Sequence, residues 1–492
     1  MYKTLAATGL LAGTAYAGSS AENAGPFINE TWFSGLIDLE QNSGDDMFYW
    51  WFESRTAPKD APVVLWLTGG PGCASEIALF YENGPYQFND DGKTLKMNPH
   101  SWNNQANLLY VDQPVGTGFS KAGLADLDTN EEEIAETMAQ FMIKFLARFP
   151  QLEGKDFYIT GESYAGHYIP AISHNFLFKN KDALKINFKG MAIGNGLVDP
   201  YLQYPQYDTF ALENKLIGNF ESKILAGAYD GCQALIKTGI WPVALEACQM
   251  ATEVILGGPI PRFNVYDIRE KCAHPPLCYD MSPADNMLAQ ADIQKVLGVE
   301  GRSWSECNMK VHTALLGDWM RDLSPKVTDI LNEGLDVLVY SGDKDFICNW
   351  RGGEKWSNEV PWNSQADYAQ TKYVDWNVDG KAAGSLKTHK NLKFLRVYDA
   401  GHMVPMNQPA AASQMLKEFI TGGVLAPEAE VKENECEVLD ESACHTHSEC
   451  SWCTSFAVRN KCNTVADAKT LPSSIFVCDN LGAKKTAEEF IQ

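Results

Sequence analysis

The sequence predicts an α/β protein with a mostly parallel central sheet, a helical insertion near its middle and a small cysteine-rich module at its end. Three observations predict it. Short β-rich apolar runs alternate with helical spacing from about residue 28 to 200, and the pattern resumes at 335–345 and 392–402. Such alternation is the mark of βαβ units. The stretch from about 200 to 320 breaks the pattern and reads as helices and loops, and six cysteines crowd into residues 436–478.

The first element, MYKTLAATGLLAGTAYAGSS, has Lys3, a short apolar run and small residues at Ala15 and Ala17. It reads as a secretory signal peptide, residues 1–17. Strands follow at FYWWF (48–52), VVLWL (63–67), NLLYV (107–111) and DFYIT (156–160), each bounded by turn residues. EEEIAETMAQFMIKFLARF (131–149) has the apolar spacing of a helix, with Asp128 or Thr129 as its expected N-cap. LDVLVYSGDKD (335–345) and LKFLRVYDAGH (392–402) are the later strand ends.

The domain between the signal peptide and the linker therefore runs from 18 to 424, with its cap at about 200–320. The charged run LAPEAEVKENE (425–435) reads as a linker, and residues 436–492 form the terminal module. That module has too little apolar content for an ordinary core, so disulfides are its natural staple.

Composition narrows the function classes. Hydrophobic residues make up 45% and aromatics 11%, ample for a packed core. A formal net charge of −23 repels nucleic acid and anionic membranes, and no later run of about twenty apolar residues could span a bilayer. The thirteen cysteines suit a secretory route to the extracellular space or a vacuole, and their odd number leaves at least one thiol unpaired. Asn29-Glu30-Thr31 is an N-glycosylation sequon.

Gly161-Glu162-Ser163-Tyr164-Ala165-Gly166 carries the strongest chemical signal. G-x-S-x-G between a strand and a helix is a nucleophile elbow, which lifts the serine hydroxyl above the sheet edge. Serine needs a base and a group to orient that base. His402 and Asp345 follow two later strands in the order Ser, Asp, His expected of an α/β-hydrolase fold. Asp343 competes with Asp345, and the pattern by itself does not separate them. His167 lies too near Ser163 along the same turn to serve as base.

Upstream, Thr68-Gly69-Gly70-Pro71-Gly72-Cys73 follows a strand, where hydrolases of this fold build an oxyanion hole. Amides of Gly70 and Tyr164 are its expected donors. A phosphate-binding reading fails, because neither G-x-x-x-x-G-K-[ST] nor G-x-G-x-x-G is present.

VLWLTGGPGCAS, LFYENGP, GESYAGHYIP, IGNGLVDP, YSGDKDFICNW and AGHMVP together resemble the motif set of the serine carboxypeptidases, and within it the vacuolar carboxypeptidase Y group. The resemblance covers residues 30 to 424 in order. It implies an enzyme that releases C-terminal amino acids from peptides and proteins at acidic pH, with Ser163, Asp345 and His402 as triad, which resolves the choice against Asp343. It further implies that Thr68, Gly69, Glu82 and Glu162 bind the substrate carboxylate. Trp66, Cys348 and Met403 would line the leaving-residue pocket. Disulfides Cys73–Cys307, Cys232–Cys248 and Cys272–Cys278 follow by the same resemblance, which makes Cys348 the unpaired thiol. No metal or organic cofactor is expected.

One departure bears on function. The family usually has asparagine where Thr68 stands, and serine at Ala74. Threonine keeps a donor hydroxyl but loses the amide's reach, so an acyltransferase or esterase with relaxed carboxylate recognition is the first alternative. The tail, with Cys450-Ser451-Trp452-Cys453, resembles a plexin–semaphorin–integrin type module. That suggests a protein or glycan partner and, as a second alternative, a scaffold acting through the tail. Zinc on Cys450, Cys453, His445 and His447 is weighed there against disulfides, which the secretory route favours. Substrate side-chain preference and oligomeric state are not encoded in these motifs.

Overall fold

Val63–Leu67 and Asn107–Val111 are buried along their whole length, as strands covered on both faces must be. The computed structural model describes residues 18–19, 25–39, 44–258, 261–275, 277–422, 425, 436, 439–447, 450–455, 459–473 and 475–479. The expected signal peptide, 1–17, and all but the first residue of the expected linker, 425–435, lie outside them. The chain divides into two units, residues 1–425 and 426–492.

In chain order the strands of the main sheet are β1 (Gly18–Ser19), β2 (Trp32–Asp38), β3 (Asp46–Phe52), β4 (Val63–Leu67), β5 (Asn107–Val111), β6 (Asp156–Glu162), β7 (Asn187–Gly194), β8 (Asp336–Gly342), β9 (Val374–Val378), β10 (Lys381–His389) and β11 (Leu392–Val397). The helices that matter here are α1 (Glu76–Tyr81), α2 (Glu131–Arg148), α3 (Ala165–His174), α4 (Asn219–Ile236), α5 (Trp241–Leu256) and α6 (Pro409–Thr421). The eleven strands lie in the order β1-β2-β3-β5-β4-β6-β7-β8-β11-β10-β9. From β5 to β11 the neighbours run parallel, and antiparallel strands finish both edges. This is an α/β-hydrolase sheet. Strands β1, β2 and β7 and the β9–β10 hairpin fill it out beyond the strands that the apolar runs announce.

The period of two sorts residues onto two cores. Met47, Tyr49, Trp51, Val63 and Leu65 face one cluster, closed by Ile134, Met138, Phe141 and Phe145 of α2. Phe48, Trp50, Phe52, Val64 and Trp66 face the other, closed by Met415, Leu416 and Phe419 of α6. Each such buried side chain contributes about 1.5–3 kcal/mol, so the sheet that carries the site is rigid on both faces.

The N-cap of α2 differs from expectation. Asn130, rather than Asp128 or Thr129, accepts the Glu132 and Glu133 amides, both at 3.1 Å. Thr129 instead bonds the Glu133 carboxylate, and Asp128 turns inward to Thr137 at 3.2 Å.

The described part of residues 200–320 holds helices and turns and no named strand. Disulfide Cys232–Cys248 joins α4 to α5, Cys272–Cys278 closes a short loop, and Cys73–Cys307 ties the insertion to the glycine-rich loop. Cys348 is the free cysteine among the described residues.

The second unit has a three-stranded antiparallel sheet with Cys450–Ser455 in the centre. Disulfides Cys436–Cys450, Cys444–Cys462 and Cys453–Cys478 staple it. Cys450 and Cys453 are thus consumed as disulfides, which takes away the thiolates that the zinc alternative needs.

Candidate active site

Ser163 follows β6 and starts the turn into α3, and it adopts φ +65, a left-handed conformation rare for any residue but glycine. Two close approaches enforce it. A Cβ on Gly161 would stand 2.1 Å from the Leu67 carbonyl oxygen, and one on Gly166 would stand 2.4 Å from that of Leu197. The Ser163 amide donates to the Gly194 carbonyl at 3.0 Å, and its own carbonyl accepts from Gly166 and Leu197. Small residues at both flanks therefore let a helix start immediately above the sheet, with Ser163 partly exposed and Glu162 and Tyr164 buried.

Asp345 follows β8 and His402 follows β11, two adjacent parallel strands. His402 Nδ1 lies 2.8 Å from Asp345 Oδ2. The Asp345 carboxylate also accepts from the amides of Ile347 and Cys348 and from Asn195 Nδ2 at 2.8 Å. Four donors on a fully buried carboxylate keep it oriented toward the imidazole. Asp343 is placed differently: its Oδ2 meets Lys344 at 3.1 Å and Arg396 at 3.6 Å.

The glycine-rich loop is pressed against the elbow. A Cβ on Gly69 would fall 2.4 Å from the Tyr164 nitrogen and 2.9 Å from Ser163 Cβ. Gly70 has φ +111, and Gly72 has φ +85. The loop is anchored by Cys73–Cys307, by Ala74 N–H to the Glu306 carbonyl and by Asn308 N–H to the Gly72 carbonyl, both 2.8 Å. Among the described residues no acceptor meets the amide of Gly70 or of Tyr164. Thr68 Oγ1 accepts the indole N–H of Trp66 at 3.0 Å.

Glu82, the C-cap of α1, and Glu162 are both buried and in hydrogen-bonding contact. Burial holds the Glu82 proton up to about 7. Burial first, and then the charge of Glu82, raise Glu162 well above the carboxylate range. With both ionised, neither Glu82 oxygen has a donor; one shared proton supplies it.

The three residues expected to line a pocket fall in different surroundings. Trp66 is fully buried, edge-on to Trp102 at 5.3 Å, and reaches the site through its Nε1. Met403 packs with Cys73, Ile77 and Met281. Cys348 is half-buried, and desolvation, then Asp345 and Glu162, push its thiol up, so it stays neutral. His167 is fully buried, with Nδ1 2.6 Å from the Leu197 carbonyl, and burial lowers it to about 4. Asn29 is exposed.

Sequence reasoning missed two residues. Asn195, fully buried with φ +39, bridges the Asp345 carboxylate and the Gly342 amide. Its signal was the asparagine between two glycines in IGNGLVDP. Tyr266 accepts the His402 amide on its carbonyl at 2.7 Å and lays its ring 5.2 Å from the imidazole. It comes from the insertion, where no motif marks it.

The profile of the family described as serine carboxypeptidase matches residues 23–422. Serine carboxypeptidase-like 47 of Arabidopsis thaliana is 41% identical over 418 residues, covering 83% of this chain and 82% of that protein. Carboxypeptidase Y of Schizosaccharomyces pombe is 40% identical over 420 residues, covering 80% of this chain and 41% of its own. Among solved structures, Kex1(delta)p, a prohormone-processing carboxypeptidase from Saccharomyces cerevisiae, superposes with a TM-score of 0.72 at 27% identity. That match covers 80% of this chain and 92% of the other.

Proposed function

The chain belongs to the serine carboxypeptidase family, and on that premise we propose that Ser163, His402 and Asp345 are the catalytic triad and that the enzyme works best in acid. The observation that carries this is the 2.8 Å bond between His402 Nδ1 and Asp345 Oδ2 at strand ends beside a strained serine elbow. Because Nδ1–H donates its hydrogen bond to Asp345, Nε2 is the nitrogen left to act as base.

His402 takes the Ser163 hydroxyl proton as Oγ attacks the last peptide carbonyl. The amides of Gly70 and Tyr164, which lack other acceptors, stabilise the oxyanion. His402 then protonates the leaving amino acid, and water repeats the sequence on the acyl-enzyme.

Recognition of the free C-terminus rests on Thr68, the Gly69 amide and the Glu82–Glu162 pair. A carboxyl pair that keeps one proton donates to the substrate carboxylate instead of repelling it. Thr68 is suited to the same task. Its oxygen already accepts from Trp66, so its own O–H is left to donate outward. That observation favours an exopeptidase over the acyltransferase or esterase alternative. Six disulfides across the two units support passage through the secretory pathway. The C-terminal unit, in this reading, serves a protein or glycan partner and takes no part in the chemistry.

The test compares N-blocked dipeptides with free and amidated C-termini at pH 5, alongside fluorophosphonate labelling of Ser163. Hydrolysis favouring the free carboxylate, lost in S163A with the label, is expected. Equal rates on both substrates would remove the carboxypeptidase reading, and labelling at another residue would remove the triad.

A further inference from the structure

A second buried carboxyl pair lies beneath the glycine-rich loop. Glu76, the first residue of α1, is 1% exposed, and Asp112, immediately after β5, is fully buried. Their carboxyls are in hydrogen-bonding contact. Asp112 Oδ1 accepts the Ser75 amide at 3.1 Å, and Oδ2 accepts the Phe119 amide at 2.8 Å. Glu76 Oε2 accepts the Trp304 indole N–H at 3.1 Å. Gly118, at φ +52, lets the chain pass over the carboxylate: a Cβ there would stand 2.1 Å from Asp112 Oδ2.

These bonds run into the loop. Ser75, held by Asp112, accepts the Thr68 amide on Oγ at 3.4 Å and donates to the Val111 carbonyl at 2.8 Å. Trp304, held by Glu76, belongs to the arm that pairs with the loop through Glu306, Cys307 and Asn308. The pair thus ties down Ser75 on one flank of the Thr68–Cys73 segment and the supporting arm on the other.

No lysine or arginine meets either carboxylate among the described residues. Arg302 touches the same turn at the Phe119 carbonyl, 2.9 Å, but its guanidinium is spent on Asp46 at 2.6 Å. Glu76 and Asp112 face each other, Trp304 and backbone amides. Two buried charges in contact without a cation are mutually prohibitive, so the pair holds one proton between them.

We propose that Glu76 and Asp112 are positioning residues for the oxyanion loop, acting through a single shared proton whose loss at alkaline pH drives the carboxyls apart and displaces the amides of Gly69 and Gly70. The inference rests on the role assigned above to that loop. It separates two alkaline effects. Loss of the Glu82–Glu162 proton weakens only substrates with a free carboxylate. Loss of the Glu76–Asp112 proton slows acylation of every substrate, esters included. Burial first, and then the facing Glu76 carboxyl, hold the Asp112 proton well above the ordinary carboxylate range, and burial also raises Glu76.

The test follows kcat on an N-blocked amino-acid ester, and the rate of Ser163 phosphonylation by a fluorophosphonate, from pH 5 to 9. In E76Q the amide N–H donates to Asp112 permanently. The alkaline decline in both rates is expected to move up by about one pH unit or more, while KM for a free dipeptide keeps the pH dependence of the parent. D112N, which loses an acceptor for Ser75 or Phe119, is expected to lower both rates about tenfold or more at every pH. Should E76Q fail to fold, the parent decides: ester kcat and phosphonylation rates with no alkaline decline between pH 5 and 9 overturn the proposal. Superimposable profiles for parent and E76Q overturn the proposal. So does a thermal midpoint that flattens with pH in E76Q while phosphonylation is unchanged, since the pair would then be structural alone. A parent that cleaves the ester but not the free dipeptide defeats carboxylate recognition and leaves this proposal to be judged by the ester.

Discussion

Asp345 and His402 meet through one carboxylate oxygen: Oδ2 accepts His402 Nδ1–H at 2.8 Å and, at the same distance, the side-chain amide of Asn195. The imidazole is therefore oriented by a carboxylate that is itself fixed from β7, a strand that bears no member of the triad. Removing the first bond and removing the second have different expected consequences.

Asp345→Asn leaves the shape but favours the wrong imidazole tautomer, so kcat is expected to fall by about 10⁴ with little change in KM. Asn195→Ala removes one hydrogen bond to a charged group, about 1.5–3 kcal/mol, for a loss of roughly ten- to a hundredfold in kcat. Steady-state kinetics on one peptide substrate measures both. A normal kcat in N195A would mean that the Ile347 and Cys348 amides suffice to hold the carboxylate.

The Glu82–Glu162 pair sets the alkaline limit of peptide binding. KM for substrates with a free C-terminus is expected to rise about tenfold per pH unit once the pair's last proton, held on Glu162 well above the carboxylate range by burial and then by the Glu82 charge, leaves. Amidated substrates are expected to keep a flat KM. Stability follows the same group. The folded protein keeps the Glu82 proton to about pH 7, whereas the unfolded chain releases it near 4.5. Stability contributed by this group therefore falls as pH rises between those values and levels off above them. Thermal midpoints of parent and E82Q from pH 4 to 8 check the sign; an equal slope in both would reject it.

Thr68→Val keeps the branched shape and deletes the hydroxyl. The ratio of kcat/KM on free to amidated dipeptides is expected to drop about tenfold, with a stability loss of about 1–3 kcal/mol because the buried Trp66 N–H loses its acceptor. An unchanged ratio alongside a lowered midpoint would restrict Thr68 to packing.

Gly69→Ala introduces a methyl 2.4 Å from the Tyr164 nitrogen and 2.7 Å from the Glu162 carbonyl oxygen, both rigid backbone. The loop must retreat from the elbow, so kcat is expected to fall about a hundredfold, since a displacement of about 1 Å costs that much. Rates on ester and peptide should fall together. Retention of full ester activity would show that the oxyanion donors lie elsewhere.

Sequence by itself determined a good part of this protein. Gly161-Glu162-Ser163-Tyr164-Ala165-Gly166 between an apolar strand and a helix dictated the elbow, because only small residues allow the approaches of 2.1 Å and 2.4 Å that Gly161 and Gly166 make possible. Unbroken apolar runs such as FYWWF and VVLWL dictated strands buried on both faces, since side chains that alternate between the faces each need a core to enter. Tertiary structure decided the rest. Asp343 and Asp345 are nearly equivalent along the chain, yet one turns to Lys344 and Arg396 and the other to His402. Trp66, a strand residue by pattern, reaches the site only through one N–H. Glu162 finds Glu82, and Glu76 finds Asp112, across sequence separations that no local pattern records. The physical reason is common to all of these. Secondary structure follows from neighbours along the chain, whereas the charge state and aim of a buried polar group follow from whatever the fold brings against it in a medium too dry to screen it.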